Sequence, residues 1–435
     1  MSSRLIECLG ITEEMAGLFS DASVLGAMLC FETALAAAQA RLGMIPHSAA
    51  EALARLRADE FDAAALARDA RHSATLAIPF VQALTARVET LDAYSAGFVH
   101  WGATSQDLLD TALVLLLAEA RAAMAVHHDR LENELRDLSG KHAGAIMLAR
   151  TLLQPAPPTT FGYKAAGWFG LVRRSWRRID LSFDDALVVQ FGGAAGTLAA
   201  YGDRGPALVI ELAKELKLGV AEAPSHTHRD RLASLVANCG IHTGGLGKVA
   251  LDVALLMQQE VAEVSERGGG SSAMPNKRNP SSAALILAAA TRMPGMVASY
   301  LSGMLQEHER AAGGWQAEWP TVAAAIQSTA GAMSAAVDMI GGLTVNAERM
   351  RANLEATHGS VFAEKAVMLL GPKMGRRAAQ TLVSEACRNQ PLRDALARNP
   401  QAASALTPEQ IAAIDRPEEY LGAAEVFRRR LLDKE

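Results

Sequence analysis

Aromatic residues make up only 5% of this 435-residue chain, and it carries just four cysteines. Cys8, Cys30, Cys239 and Cys387 lie far apart and form no CxxC pair. That spacing points to free thiols in a reducing compartment rather than to disulfides or a cysteine zinc site. No polybasic block occurs, and 42 Lys plus Arg against 47 Asp plus Glu leave a formal charge of −5. Nucleic acid and anionic membranes are therefore not expected as partners. Uninterrupted apolar runs such as Ala112 to Ala118 fall short of the roughly 20 residues that span a bilayer. The N-terminus, with Arg4, Glu7, Glu13 and Glu14, lacks an apolar signal core. A soluble, cytoplasmic protein is expected.

Hydrophobic residues, by contrast, reach 50%, and alanine is abundant, as in Ala34 to Ala38, interrupted only by Leu35, and in Ala288 to Ala290. Alanine favours helix and disfavours strand, so the expected class is all-α. Asp21 to Leu42 reads as one helix closed by Gly43 and Pro46. Thr104 to Asp107 reads as a capping box opening a helix from Gln106 to about His142, with no proline and no glycine before Gly140. Leu109, Ala112, Leu113, Leu116, Ala120, Met124, Leu131, Leu135 and Leu138 recur at helical spacing. Its length of roughly 50 Å suits a bundle of long helices. Pro155, Pro157 and Pro158 break the next connection. Further helices are expected over Thr159–Asp185, Pro206–Leu218, Asp230–Arg267, Pro280–Glu309 and Pro320–Ile340. The glycines at Gly244, Gly245 and Gly247 mark either close helix packing or a kink. These elements give three regions: an N-terminal helical domain (1–103), a central long-helix domain (104–345) and a C-terminal helical domain (346–435).

The stretch Gly268-Gly269-Gly270-Ser271-Ser272-Ala273-Met274-Pro275-Asn276-Lys277-Arg278-Asn279-Pro280 is the most informative in the chain. Three glycines and two serines make a backbone-rich loop. Asn279-Pro280 reads as an N-cap with proline in the first helical turn. A helix N-terminus beside Lys277 and Arg278 suits an anion. Read locally, the same loop also fits an ordinary interhelical connection with basic residues facing solvent.

Gly270 to Pro280 resembles the signature loop of the fumarase/aspartase superfamily, Gly-Ser-Ser-x-Met-Pro-x-Lys-x-Asn-Pro. Two further segments agree. His100-Trp-Gly-Ala-Thr104-Ser105-Gln106-Asp107 through Ala112 resembles the first motif region of the superfamily's adenylosuccinate lyase branch. Arg150-Thr151-Leu152-Leu153-Gln154-Pro155-Ala156 resembles the second. Leu152 stands where the lyases of the superfamily carry a catalytic histidine, and leucine can neither give nor take a proton. Gln306 to Pro320 and Phe161 to Trp168 resemble the muconate cycloisomerase branch.

The resemblance implies a twenty-helix core in a homotetramer, with three chains contributing to each active site. It implies a small tricarboxylate substrate, lactonised through proton transfer at a carbon beside a carboxylate. No cofactor and no metal are expected. Ser271 matches the catalytic serine and takes the carbon acid/base role; the alternative is that Ser271 and Ser272 only bind carboxylate. Lys277 and Asn279 match carboxylate-binding positions, and Ser272 and Met274 belong to the same loop. Thr104 and Ser105 can hold a carboxylate while also capping their helix. His100, Gln154 and Arg229 complete the expected substrate-binding set. His226 and His228 form a His-x-His pair, but nothing nearby in sequence completes a metal ligand set. Rival readings are an adenylosuccinate- or argininosuccinate-type lyase, a cycloisomerase for another substituted muconate, and a non-catalytic structural homologue.

Overall fold

A computed structural model describes residues 4–270, 274, 277–388 and 390–433. Among the described residues helices dominate, with three short strand pairs. The described residues group into two compact units, each assembled from three stretches of chain. The first comprises 1–128, 175–247 and 285–334; the second comprises 129–174, 248–284 and 335–435.

The longest elements are α1 (Asp21–Arg41), α2 (Ser105–Lys141), α3 (Phe161–Ala186), α4 (Asp230–Leu256), α5 (Ser281–Ser302) and α6 (Gly314–Gly341). Ser20 caps α1 by accepting the Ser23 N–H at 3.3 Å. That helix buries Leu25, Met28, Phe31, Leu35 and Ala38, and with them two polar side chains, Glu32 and Gln39, each 1% exposed. Helix α2 has 37 residues, about 55 Å at 1.5 Å per residue. Its apolar stripe is buried as the spacing predicts. At its start the Thr104 N–H donates to Asp107 Oδ2 at 3.1 Å, the acidic half of the expected box.

The structure corrects three element boundaries. The expected third long helix stops at Leu256, not Arg267. Ala262 adopts φ +51° and the Glu263 N–H turns back to the Leu256 carbonyl, so Val264–Ser265 pairs with Thr344–Val345 instead. Helix α5 ends at Ser302, not Glu309, while α6 begins at Gly314 and carries Pro320 within its second turn. The proline-rich stretch after Arg150 is no loop. Strands β1 (Ile146–Thr151) and β2 (Gln154–Thr160) form an antiparallel hairpin, and Gln154 pairs with Thr151. Leu152 and Leu153 make its two-residue turn at φ +50° and +64°, a geometry normally given to Asn-Gly. Each leucine there costs roughly 1–2 kcal/mol, and the pair stands 97% and 76% exposed.

The glycine cluster in α4 marks close packing rather than a kink. A Cβ on Gly247 would lie 2.7 Å from the Ala290 methyl. By length and mean hydropathy α1 and α5 would each reach across a bilayer, although neither is an uninterrupted apolar run. Half of the most apolar window of α1 is buried, but only 22% of that of α5.

Candidate active site

In the first unit, Asp107 and Asp110 sit one turn apart at the start of α2 and organise the surrounding loops. Asp107 Oδ1 accepts from the Gly192 N–H and from His226 Nε2, both at 2.9 Å. Its Oδ2 accepts from the Thr104 N–H at 3.1 Å and the Gly193 N–H at 2.9 Å. A fully buried carboxylate with four donors is a structural anchor: its lone pairs are committed. Gly192 is required there, because a Cβ would fall 2.7 Å from Pro224 and 2.9 Å from the His226 ring. His226 is thereby a clamp on the glycine loop, a role its His-x-His spacing did not suggest.

Asp110 belongs to a buried ionic knot. It accepts from Arg229 Nη1 at 2.7 Å, Trp315 Nε1 at 2.8 Å and Gln106 Nε2 at 3.2 Å. Arg229 turns its other nitrogens on Glu318, at 2.7 to 3.1 Å. Tyr300 and Gln306 also donate to Glu318. Burial pushes the Glu318 carboxyl above its usual pKa, while Arg229 pulls it down. The Arg229 guanidinium also reaches the Ser225 carbonyl at 3.1 Å. Its expected role as a ligand for substrate carboxylate thus gives way to a structural one, since two protein carboxylates and a carbonyl engage all three of its nitrogens.

The His100–Thr104 turn is held from α1. His100 Nδ1 lies 2.5 Å from Glu32 Oε1. Gln39 Nε2 donates to the Trp101 carbonyl at 2.8 Å, and the Tyr201 hydroxyl donates to the same oxygen. His100, Thr104 and Ser105 are thus brought into one turn, linked to the glycine loop and the Arg229 knot through Asp107 and Asp110. Sequence reasoning missed Glu32 and Gln39, and singled out Glu318 without giving it a role. Each is a polar residue embedded in an apolar helical stripe, a signal that marks burial but not the partner.

In the second unit the stem of the signature loop is tightly held. The Asn279 N–H donates to the Gly269 carbonyl at 3.2 Å, and the Gly269 N–H donates to Ser281 Oγ at 2.8 Å. Glu266, 2% exposed, accepts from the Ser282 and Ala283 N–H groups at 3.0 and 3.3 Å. The first turn of α5 therefore already holds a carboxylate, that of Glu266. This corrects both the open anion site expected at that helix start and the reading of Asn279 as its cap. Lys277 and Met274 are exposed, as is Gln154 at the hairpin tip. Ser271 and Ser272 lie outside the described residues. Elsewhere in this unit Arg150 grips the buried Glu263 through two nitrogens at 2.7 and 3.0 Å. Burial also pushes the Lys164 ammonium below its usual pKa, with Asp252 opposing.

Comparison with known proteins bears on this arrangement. The family described as Lyase matches residues 8–295, and the one described as Adenylosuccinate lyase C-terminus matches residues 359–431. The chain belongs to the fumarase/aspartase superfamily. Within that superfamily it is 45% identical to a 3-carboxy-cis,cis-muconate cycloisomerase of Bradyrhizobium diazoefficiens, over 96% of this chain and 95% of the relative. It is 41% identical to a nitrosuccinate lyase of Streptomyces davaonensis, over 93% and 89%. The crystal structure of the 3-carboxy-cis,cis-muconate lactonizing enzyme of Pseudomonas putida superposes with a TM-score of 0.93 at 39% identity, covering 99% of this chain and 98% of that one. The all-α superfamily fold expected from the sequence is the fold observed.

Proposed function

We propose that this protein is a 3-carboxy-cis,cis-muconate cycloisomerase, forming 4-carboxymuconolactone in protocatechuate breakdown. The observation that carries the reading is full-length similarity at 45% identity to an enzyme of that name. Leu152 supports it, since a side chain that cannot protonate a leaving group sits where the superfamily's lyases carry histidine. In lactonisation nothing leaves. One substrate carboxylate oxygen attacks the diene, a C–O bond forms as a C=C bond is consumed, and one proton goes to the neighbouring carbon. The residues proposed for this are Ser271 as the carbon acid/base, with His100, Thr104, Ser105, Gln154, Ser272, Met274, Lys277 and Asn279 holding the substrate. Serine serves in that role only in a closed, water-poor site where N–H groups and Lys277 offset the alkoxide charge.

The deciding assay is spectrophotometric: 3-carboxy-cis,cis-muconate is offered and the diene absorbance is followed. Its disappearance without release of a second product is expected. A lyase reading, favoured by the nitrosuccinate lyase relative, predicts that the diene absorbance stays unchanged and that fumarate absorbance rises only when a substituted succinate is offered. Lys277→Met is expected to raise KM for the muconate about tenfold or more, matching the roughly 1.5–3 kcal/mol of a hydrogen bond to a charged group. An unchanged KM would remove Lys277 from the carboxylate anchor.

The proposed assembly is a cytoplasmic homotetramer with a twenty-helix core and sites shared between subunits, each chain organised as the three regions 1–103, 104–345 and 346–435. The mostly uncovered apolar surface of α5 and the exposed Leu152–Leu153 tip support an assembly that covers them. Light scattering is expected to return four times the chain mass; a monomer would overturn the shared-site arrangement.

A further inference from the structure

Glu32 is a carboxylate in the wrong surroundings. It lies 1% exposed on α1 among Met28, Leu29, Phe31 and Leu35, where a bare negative charge is costly. Among the described residues its Oε1 meets one partner, His100 Nδ1 at 2.5 Å, and its Oε2 meets none. The charge is compensated there only if the imidazole is protonated on both nitrogens, with Nδ1–H donating to Glu32. His100 itself is held at φ +55°, an uncommon backbone setting for histidine. Its side chain retains 16% exposure, and among the described residues its Nε2 has no protein partner.

We infer that Glu32 is a positioning residue: by gripping Nδ1 it keeps His100 as an imidazolium and aims Nε2–H outward to bind a carboxylate of the substrate. The idea rests on the reading above that the substrate is a polycarboxylate. The charges around the ring agree in sign. Glu32 faces it from α1 and Asp107 from the start of α2, with the Tyr201 phenol beside both and His226 engaged by Asp107. Burial works to lower the His100 pKa, but Glu32 and then Asp107 outweigh it and hold the group above its usual value. Carboxylate binding is therefore strongest at low pH and lost as pH rises through that raised value.

The test uses full-length Glu32→Gln protein, tricarballylate as the probe, calorimetry for affinity, and NMR titration of the His100 ring. At pH 7.5 the variant is expected to bind tricarballylate about tenfold more weakly, recovering towards wild type at pH 6. The alkaline limb of binding, and of kcat/KM with the muconate, should move to lower pH. KM should change more than kcat. A variant that binds equally well with an unmoved alkaline limb would overturn the inference. Should Glu32→Gln fail to fold, His100→Gln decides: loss of the limb supports the inference and its persistence overturns it. Wild-type protein that binds tricarballylate with this pH dependence but leaves the muconate unchanged would refute the proposed reaction and not the role of Glu32.

Discussion

Arg229→Met is expected to destabilise the folded protein by about 3–5 kcal/mol, the range seen when one partner of a buried ion pair is removed. Methionine fills much of the same volume, so packing is not the main loss. What remains is two buried carboxylates, Asp110 and Glu318, without the cation that bridges them. Trp315, Gln106, Tyr300 and Gln306 still donate to them, but all four are neutral donors. The sign of the pH dependence follows. Glu318 already has its pKa raised by burial, and losing Arg229 removes a force that lowers it. A carboxyl with a folded pKa above its unfolded value stabilises the fold at low pH and loses that contribution as pH rises. The deficit should therefore be largest near pH 8 and shrink as the pH falls towards the raised carboxyl value. Urea denaturation followed by circular dichroism at the two ends of that range measures it. Adding Asp110→Asn and Glu318→Gln to the variant should recover much of the loss. A deficit below about 1 kcal/mol at pH 8 would place the knot among ordinary surface-grade pairs.

Ser271→Ala is expected to lower kcat by about 100- to 10,000-fold, the usual worth of a positioned acid/base group. The denaturation midpoint should stay within the scatter of surface substitutions, about 0.5 kcal/mol. The two variants thus separate cleanly. Arg229→Met strikes stability first, and whatever activity it loses follows from the shaken first turn of α2. Ser271→Ala leaves the fold intact and silences the chemistry. Turnover near wild type in Ser271→Ala would reassign the serine to carboxylate binding.

The long helices were legible because their apolar spacing is set by the 3.6-residue period, and nothing in the tertiary structure needed to override it. The hairpin of β1 and β2 was not. Its turn places two leucines at positive φ where sequence rules look for Asn-Gly, and its second strand contains three prolines that read as breakers. The end of α4 was hidden for a related reason. No glycine or proline occurs between Leu256 and Arg267, and the chain leaves the helix through a left-handed alanine. Of the residues proposed for substrate, those on the loops of His100, Gln154 and the serine motif were recognisable from their order of residues. Their supports were not. Glu266 on the N–H groups of α5, and Glu318 on Arg229, are pairings between positions 16 to 89 residues apart that only the folded chain brings together. For Arg229 the omission mattered, since a lone arginine near a motif invites a substrate role that its carboxylate partners leave no room for.

Helix α1 makes a different demand on the chain. Glu32 and Gln39 are seven residues apart, close to two full turns, so both point at the same loop: one at the His100 ring and the other at the Trp101 carbonyl. Between them lies Thr33-Ala34-Leu35-Ala36-Ala37-Ala38, a stretch with almost no chemistry of its own. That stretch acts as a ruler. One added or deleted residue would turn Gln39 by about 100° and shift it by about 1.5 Å relative to Glu32, and one of the two grips would be lost. The number of these residues sets that phase, while the small size of the alanines serves a separate end, the close burial of Ala36 and Ala38 at 2% and 0% exposure.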